Sequence, residues 1–193
     1  MPRIVRAGLL ALVVVLFVAA CSGGSGPSFD ATGPCSADGR AQGAYPDLEA
    51  HVPTGYMGGP PKTLDSGRNC SAANLGSLAS LGIAEVRFAG GTWTFGAERA
   101  AVMAVFTARG LTADALASLY LDSARAASRT TVLAVTTPTV AGRPGHRLDT
   151  TTSTRAQTVV VWPSADADMV NVVITNDLPD ARIQDAIDAF GGR

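Results

Sequence analysis

The segments QTVVVW (157–162) and MVNVVIT (169–175) decide the fold of this chain, because both are short apolar runs rich in β-branched residues. Between them lies PSADAD (163–168), whose proline and aspartates are typical of a hairpin loop. The pattern therefore predicts two adjacent antiparallel strands. The two-residue period of a strand places Val159 with Val161 on one face, and likewise aligns Val170, Val172 and Ile174.

The residues after this hairpin predict a helix over 178–190. Ile183, Ala186, Ile187 and Phe190 recur at helical spacing, and Asp177 precedes them as a candidate cap. This apolar face needs a surface to cover. We expect one of the two aligned rows of the hairpin to supply it.

Upstream of the hairpin, the apolar spacing predicts further helices and strands. The clearest helix is 111–127, where Leu116, Leu119 and Tyr120 form one stripe. Residues 100–108 (AAVMAVFTA) fit a helix or a buried strand, and their short length favours the strand. The remaining predictions are helices at 46–50 and 70–81, an edge strand at 62–66, and strands at 83–88, 92–95, 130–140 and 146–152, with a break at 90–91.

This order of elements defines the predicted fold class. Strands that are grouped rather than alternating strictly with helices indicate an antiparallel sheet. We therefore predict an α+β fold in which an antiparallel sheet has its helices packed on one face. The last four strands should form a meander, because short turns connect them.

The N-terminus predicts how the protein is held. Arg3 and Arg6 precede an uncharged apolar run, 7–20, which is shorter than the ~20 residues of a membrane span. The run ends in VAAC (18–21), which resembles the lipobox of bacterial lipoproteins. That resemblance implies a signal peptide at 1–20, lipidation of Cys21 with fatty acyl chains, and an extracytoplasmic protein anchored to a bacterial membrane.

The mature chain is predicted to consist of a tether and one domain. Residues 21–34 read as the lipidated cysteine and a flexible Gly/Ser-rich linker, and residues 35–193 as a single α+β domain. The formal net charge of the whole chain is −1, so no basic footprint for nucleic acid is present. The predicted partners are the membrane, through the lipid anchor, and an unidentified protein or small molecule.

The chain contains three cysteines, and the lipobox assigns one of them. Cys35 and Cys70 are then the remaining pair, and outside the cytoplasm such a pair is usually oxidised. A metal site is the competing interpretation, but neither CxxC spacing nor a nearby histidine supports it. We therefore predict a disulfide between Cys35 and Cys70 and no cofactor.

No motif in the sequence marks a catalytic site. His51 and His146 are the two histidines, and neither belongs to an HExxH motif or a Cys/His cluster. GxSxG and Ser-x-x-Lys motifs are also absent. Asp166 and Asp168 lack the spacing of a calcium loop, so we interpret them as a solvated hairpin tip.

The segment GGTWTFG (90–96) has two interpretations. Trp93 and Phe95 alternate between glycines, so both rings could enter the core from a strand. Alternatively, an interaction loop could present Trp93 and Phe95 to a lipid, glycan or protein surface, where aromatic anchors dominate binding.

The last eighty or so residues resemble small PsbP-like domains and uncharacterised bacterial lipoproteins. The resemblance is one of pattern, carried by VAGR (140–143), the two apolar strands and the closing helix. Three hypotheses about function follow. The favoured one is a non-catalytic binding or interaction module, and the others are an envelope hydrolase with a site assembled from distant residues and an assembly subunit of an envelope complex.

Overall fold

The structure is a computed structural model, which describes residues 29–191 apart from residues 97 and 154. Within these residues the chain forms the following strands and helices: β1 (Gly39–Ala41), α1 (Pro46–Glu49), β2 (Thr63–Asn69), α2 (Ala72–Leu75), α3 (Ser77–Ser80), β3 (Val86–Phe95), β4 (Arg99–Thr107), α4 (Ala113–Ala126), β5 (Thr130–Thr136), β6 (Thr139–Val140), β7 (Arg143–Pro144), β8 (His146–Thr152), β9 (Arg155–Pro163), β10 (Met169–Asn176) and α5 (Asp180–Ala189).

One antiparallel sheet of eight strands organises the described chain, in the order β1-β2-β3-β4-β10-β9-β8-β5. It consists of two meanders joined where β10 pairs with β4, and β6 and β7 form a separate small pair. The predicted hairpin is present as β9 and β10, with Val172 opposite Val161. The α+β class, the antiparallel sheet and the strand at 100–108 are confirmed.

The helices cover both faces of the sheet, which corrects the prediction that they pack on one face. Helices α2, α3 and α4 cover the face that includes Phe106, Val161 and Val172. Helices α1 and α5 cover the opposite face, with Trp162 and Val173. The physical reason is that the central strands are apolar on both sides, as strands buried between two layers usually are.

The partner of the C-terminal helix also differs from the prediction. The aligned rows of Val159 with Val161 and of Val170 with Val172 and Ile174 face α4 rather than α5. Helix α5 instead packs on the alternate row, which includes Trp162. Because this alternate row also contains large apolar residues, periodicity alone could not assign α5 to one of the two rows.

Glycine and proline change several predicted boundaries. Strand β3 continues through the predicted break at Gly91, where a Cβ atom would lie 2.9 Å from the Trp93 ring, so glycine is needed there for packing. The predicted helix 70–81 divides at Gly76, whose φ is +49°. The predicted strand 130–140 divides into β5 and β6 at Pro138, which has no backbone N–H to donate to a ladder.

Two further details differ from the predictions. The strand predicted at 62–66 is not at the edge, because β1 pairs with the outer side of β2. Asp177 does not cap α5; instead its Oδ1 accepts the backbone N–H of Ala156 at 2.9 Å, and α5 begins after Pro179.

Candidate functional site

The candidate site lies at the end of the sheet that carries the β9–β10 loop, residues 164–168, which we call the hairpin end. The antiparallel register brings the start of β3, the end of β4 and the starts of β8 and β10 to this same end. Two clefts open there, one on each side of the loop. Met169 borders both of them.

The first cleft, which we call the α1 cleft, lies between α1 and the sheet. Its floor is a row of three residues that are opposite each other in register on β3, β4 and β10, namely Arg87, Thr107 and Met169. Its wall includes Tyr45 and Leu48. The cleft has a volume of about 320 Å³, and carbon atoms form most of its lining.

Charged groups also line the α1 cleft. The Nε atom of Arg87 donates to Glu85 Oε1 at 2.7 Å, and this hydrogen bond raises the pKa of Arg87. The Arg87 guanidinium also lies 5.1 Å from the centre of the Tyr45 ring, within the range of a cation–π contact. Arg87 is therefore the charged member of the cleft floor and is held in place by two partners.

The second cleft, which we call the α4 cleft, lies on the opposite face of the sheet. It has a volume of about 470 Å³ and is bordered by the start of α4, by Pro144 and by residues 163–170. Its polar lining residues include Asp114 and Ser164. Thr112 caps α4 here, since its side chain accepts the N–H of Ala115 at 3.1 Å.

Both histidines lie near the hairpin end, and each contacts an aspartate. His146 Nε2 is 2.6 Å from Asp114 Oδ1, and His51 Nδ1 is 3.6 Å from Asp166 Oδ2. These pairs could not be predicted from the sequence, because their members are far apart along the chain. His51 also lines the α1 cleft.

The arrangement lacks the contacts of a nucleophilic site in the described residues. There, no hydrogen bond links either histidine to a serine, threonine or cysteine side chain, so the hydroxyl–imidazole contact of a serine hydrolase is not formed. A search of the same residues finds no group of three or more His, Cys, Asp or Glu side chains placed to hold a metal ion.

The loop aspartates have structural contacts. Asp168 Oδ1 accepts the N–H of Gly110 at 3.1 Å and ties the hairpin loop to the β4–α4 connection. Asp166 is more than half exposed, and its Oδ2 lies 3.6 Å from His51 Nδ1. This geometry agrees with a hairpin tip that is partly solvated.

The aromatic segment lies in strand β3, so Trp93 and Phe95 are not on a free loop. Trp93 is buried, and its Nε1 donates to Gly59 O at 3.0 Å. The Tyr56 ring packs edge-on against both aromatic rings, 6.0 Å from Trp93 and 5.7 Å from Phe95. The core interpretation therefore describes Trp93, whereas Phe95 is half-buried and its role in an interaction stays a prediction.

The predicted disulfide is confirmed. Cys35 and Cys70 are bonded, with their Cα atoms 6.0 Å apart. The bond fixes the segment before β1 to the end of β2.

Part of the predicted linker is packed against the domain. The buried Arg68 side chain donates to the carbonyl oxygens of Asp30, Gly33 and Pro34 at 2.6 to 3.0 Å. It also lies 5.6 Å from the centre of the Phe29 ring. Residues 29–34, which the sequence assigns to the linker, therefore include several that contact the domain directly.

Cys21, the predicted lipidation site, and the rest of the predicted signal peptide lie outside the described residues. Within the described part of the chain, no helix has the length and apolar character needed to cross a membrane. Comparison of the chain with models of protein families gives no match, and comparison with curated proteins gives none either.

Proposed function

We propose that this chain is a lipid-anchored extracytoplasmic protein that binds a small, largely apolar ligand in the α1 cleft and does not catalyse a reaction. The observation that carries the proposal is the α1 cleft itself, with a volume of about 320 Å³ and mainly carbon lining. Small-molecule sites are usually concave and mostly apolar, with a few polar groups at the rim that orient the ligand. Arg87 and His51 are the groups in the lining of the α1 cleft that could orient a ligand in this way.

The anchor is supported by the sequence VAAC (18–21) and its apolar run. If Cys21 carries lipid, the parent chain should partition into the detergent phase, and Cys21→Ser should remain unlipidated and lose cleavage at that site. A Cys21→Ser chain that still carries lipid at this position would contradict the anchor, without bearing on the cleft.

Ligand binding can be tested with 8-anilinonaphthalene-1-sulfonate, an apolar fluorescent probe, added to the full chain. Thr107→Phe should fill the floor of the α1 cleft and weaken saturable binding by about tenfold or more, because the probe and the new ring would compete for one volume. Ala165→Phe places the same ring in the α4 cleft and is the matched control. The proposal would be contradicted if the parent showed no saturable binding of the probe, or if Thr107→Phe and Ala165→Phe weakened that binding equally.

The hydrolase alternative has one observation in its favour, the 2.6 Å contact of His146 with Asp114, which lines the α4 cleft together with Ser164. A carboxylate that orients an imidazole is part of a catalytic triad, but the triad also needs a hydroxyl bonded to that imidazole. We expect no covalent labelling by a fluorophosphonate probe. Labelling that disappears in His146→Ala would favour the hydrolase over the binding protein.

A further inference from the structure

The two edges of the sheet differ in how well they are protected. At one edge, β1 is three residues long and lies beside the disulfide and the Arg68 contacts. At the other edge, β5 is seven residues long, and no strand in the described part of the chain pairs with its outer side. Strand β5 therefore offers a row of backbone groups for pairing with another strand.

The side chains of β5 do not protect this edge. Proteins usually shield an exposed edge strand with charged residues or proline, whereas β5 reads TTVLAVT and contains neither. Leu133 and Val135 are 61% and 49% exposed, and they are two of the four large hydrophobic residues that are exposed in the described chain. The one protective feature is an irregularity in the pairing with β8 between Val132 and Ala134.

The sequence of β5 is complementary to itself when it is reversed. In an antiparallel pair of identical strands that keeps all seven residues opposite one another, Leu133 lies across from Leu133 of the other copy. Thr130 then faces Thr136, Thr131 faces Val135, and Val132 faces Ala134. None of these pairs places like charges together, and β-branched and apolar cross-strand pairs stabilise such a ladder.

We propose that β5 is a self-association edge, at which two copies of this chain pair antiparallel about a twofold axis at Leu133. A twofold contact of this kind uses the same surface on both copies and is closed, so it yields a dimer rather than a fibre. The irregularity in the pairing with β8 lies at this axis, so the pairs on either side of Leu133 would carry the contact. The pairing would join the two eight-stranded sheets into one.

The test is to measure the mass of the full chain in mild detergent by sedimentation. The protein concentration is varied over about 1–100 µM, a range in which a dimer of moderate affinity dissociates as it is diluted. We expect a dimer for the parent. Leu133→Lys should weaken association by about tenfold or more, because it places two ammonium groups opposite each other. Leu81→Lys is the control, since Leu81 is 64% exposed and distant from β5 in the chain. A monomeric parent, or a Leu133→Lys chain as dimeric as the control, would overturn the proposal.

A second measurement tests the register. Residues directly opposite in an antiparallel pair have Cα atoms about 4.5–5.5 Å apart, which is within the range of a disulfide. Mild oxidation should therefore link two copies of Leu133→Cys, but not two copies of Leu81→Cys, with the parent as the control for the natural cysteines. Linkage of Leu81→Cys without linkage of Leu133→Cys would contradict the proposed twofold axis.

Discussion

At the scale of single residues, Asp38 connects two segments that are far apart in sequence. Its carboxylate accepts the backbone N–H groups of Cys70 and Ser71 at 2.6 and 2.8 Å, and the side-chain N–H of Asn74 at 2.7 Å. It also accepts the Ser71 hydroxyl. Burial acts to raise the pKa of Asp38, but these hydrogen bonds outweigh it and hold the pKa below its usual range.

This direction of shift predicts how stability depends on pH. Because the pKa of Asp38 is lower in the folded state than the unfolded value of about 3.9, its contribution is present above that value and is lost as the pH falls through the folded pKa. Asp38→Asn should lower the free energy of unfolding at neutral pH by about 1–3 kcal/mol, near the lower end because the group is partly exposed. At about pH 3 the difference from the parent should shrink.

Urea unfolding of parent and variant at both pH values measures this effect. Asp122→Asn is the control, since Asp122 is exposed on α4. If the Asp38→Asn difference were the same at both pH values, the carboxylate would not stabilise the fold through its charge.

At the scale of elements, an aromatic contact at the end of helix α5 helps to hold that helix on the sheet. The Phe190 and Trp162 rings pack edge-on with their centres 5.2 Å apart, and both are buried. Phe190→Ala should open a cavity and lower the free energy of unfolding by about 3–5 kcal/mol. Asp166→Asn, at the exposed hairpin tip, should change it by less than about 0.5 kcal/mol. Unfolding of both variants in denaturant measures these changes. If the Phe190→Ala chain were as stable as the parent, α5 would not be docked through this ring.

The helices and strands could mostly be predicted from the sequence, because their periodicity is local. The assignment of each helix to one face of the sheet could not be predicted in this way. Strand β10 is buried on both sides, and even its polar residues Asn171 and Thr175 are buried, so polarity does not show which side meets which helix. The predicted alignment of Val170 with Ile174 was correct. Their predicted contact with α5 was wrong, because α4 crosses the sheet on that face and covers both residues.

The candidate site was less predictable than the fold. Its floor exists because Arg87, Thr107 and Met169 are in register on three strands. Strand β10 is far from the β3–β4 hairpin along the chain, so no local pattern gives the register that brings Met169 to this row. The two aspartate–histidine contacts could not be predicted for the same reason, because each joins residues that are far apart along the chain. The disulfide was predictable because the prediction rested on the number of cysteines and on the compartment that the lipobox resemblance implies, and neither depends on register.

At the scale of the whole molecule, the segment that leads to the predicted anchor is attached at the β1 edge. Seven strand spacings separate β1 from β5, which is about 34 Å across the sheet. The Cys35–Cys70 bond and the Arg68 contacts together hold the segment before β1 in place. A pulling force on the N-terminus would therefore act on the sheet first at β1 and β2, which lie at the opposite edge from β5.

The double substitution Cys35→Ala/Cys70→Ala tests this attachment. Loss of a disulfide typically costs about 2–4 kcal/mol, chiefly because the unfolded chain is no longer constrained. In addition to this loss of overall stability, the backbone amides of Gly39–Ala41 should exchange faster with solvent. Strand β1 has only three residues and, in the described chain, pairs with β2 alone. The central strands β4 and β10 should remain the slowest to exchange, and the parent without reductant is the control. Unchanged exchange in β1, or equal acceleration in β10, would show that the disulfide does not act locally on the edge where the chain leaves the domain.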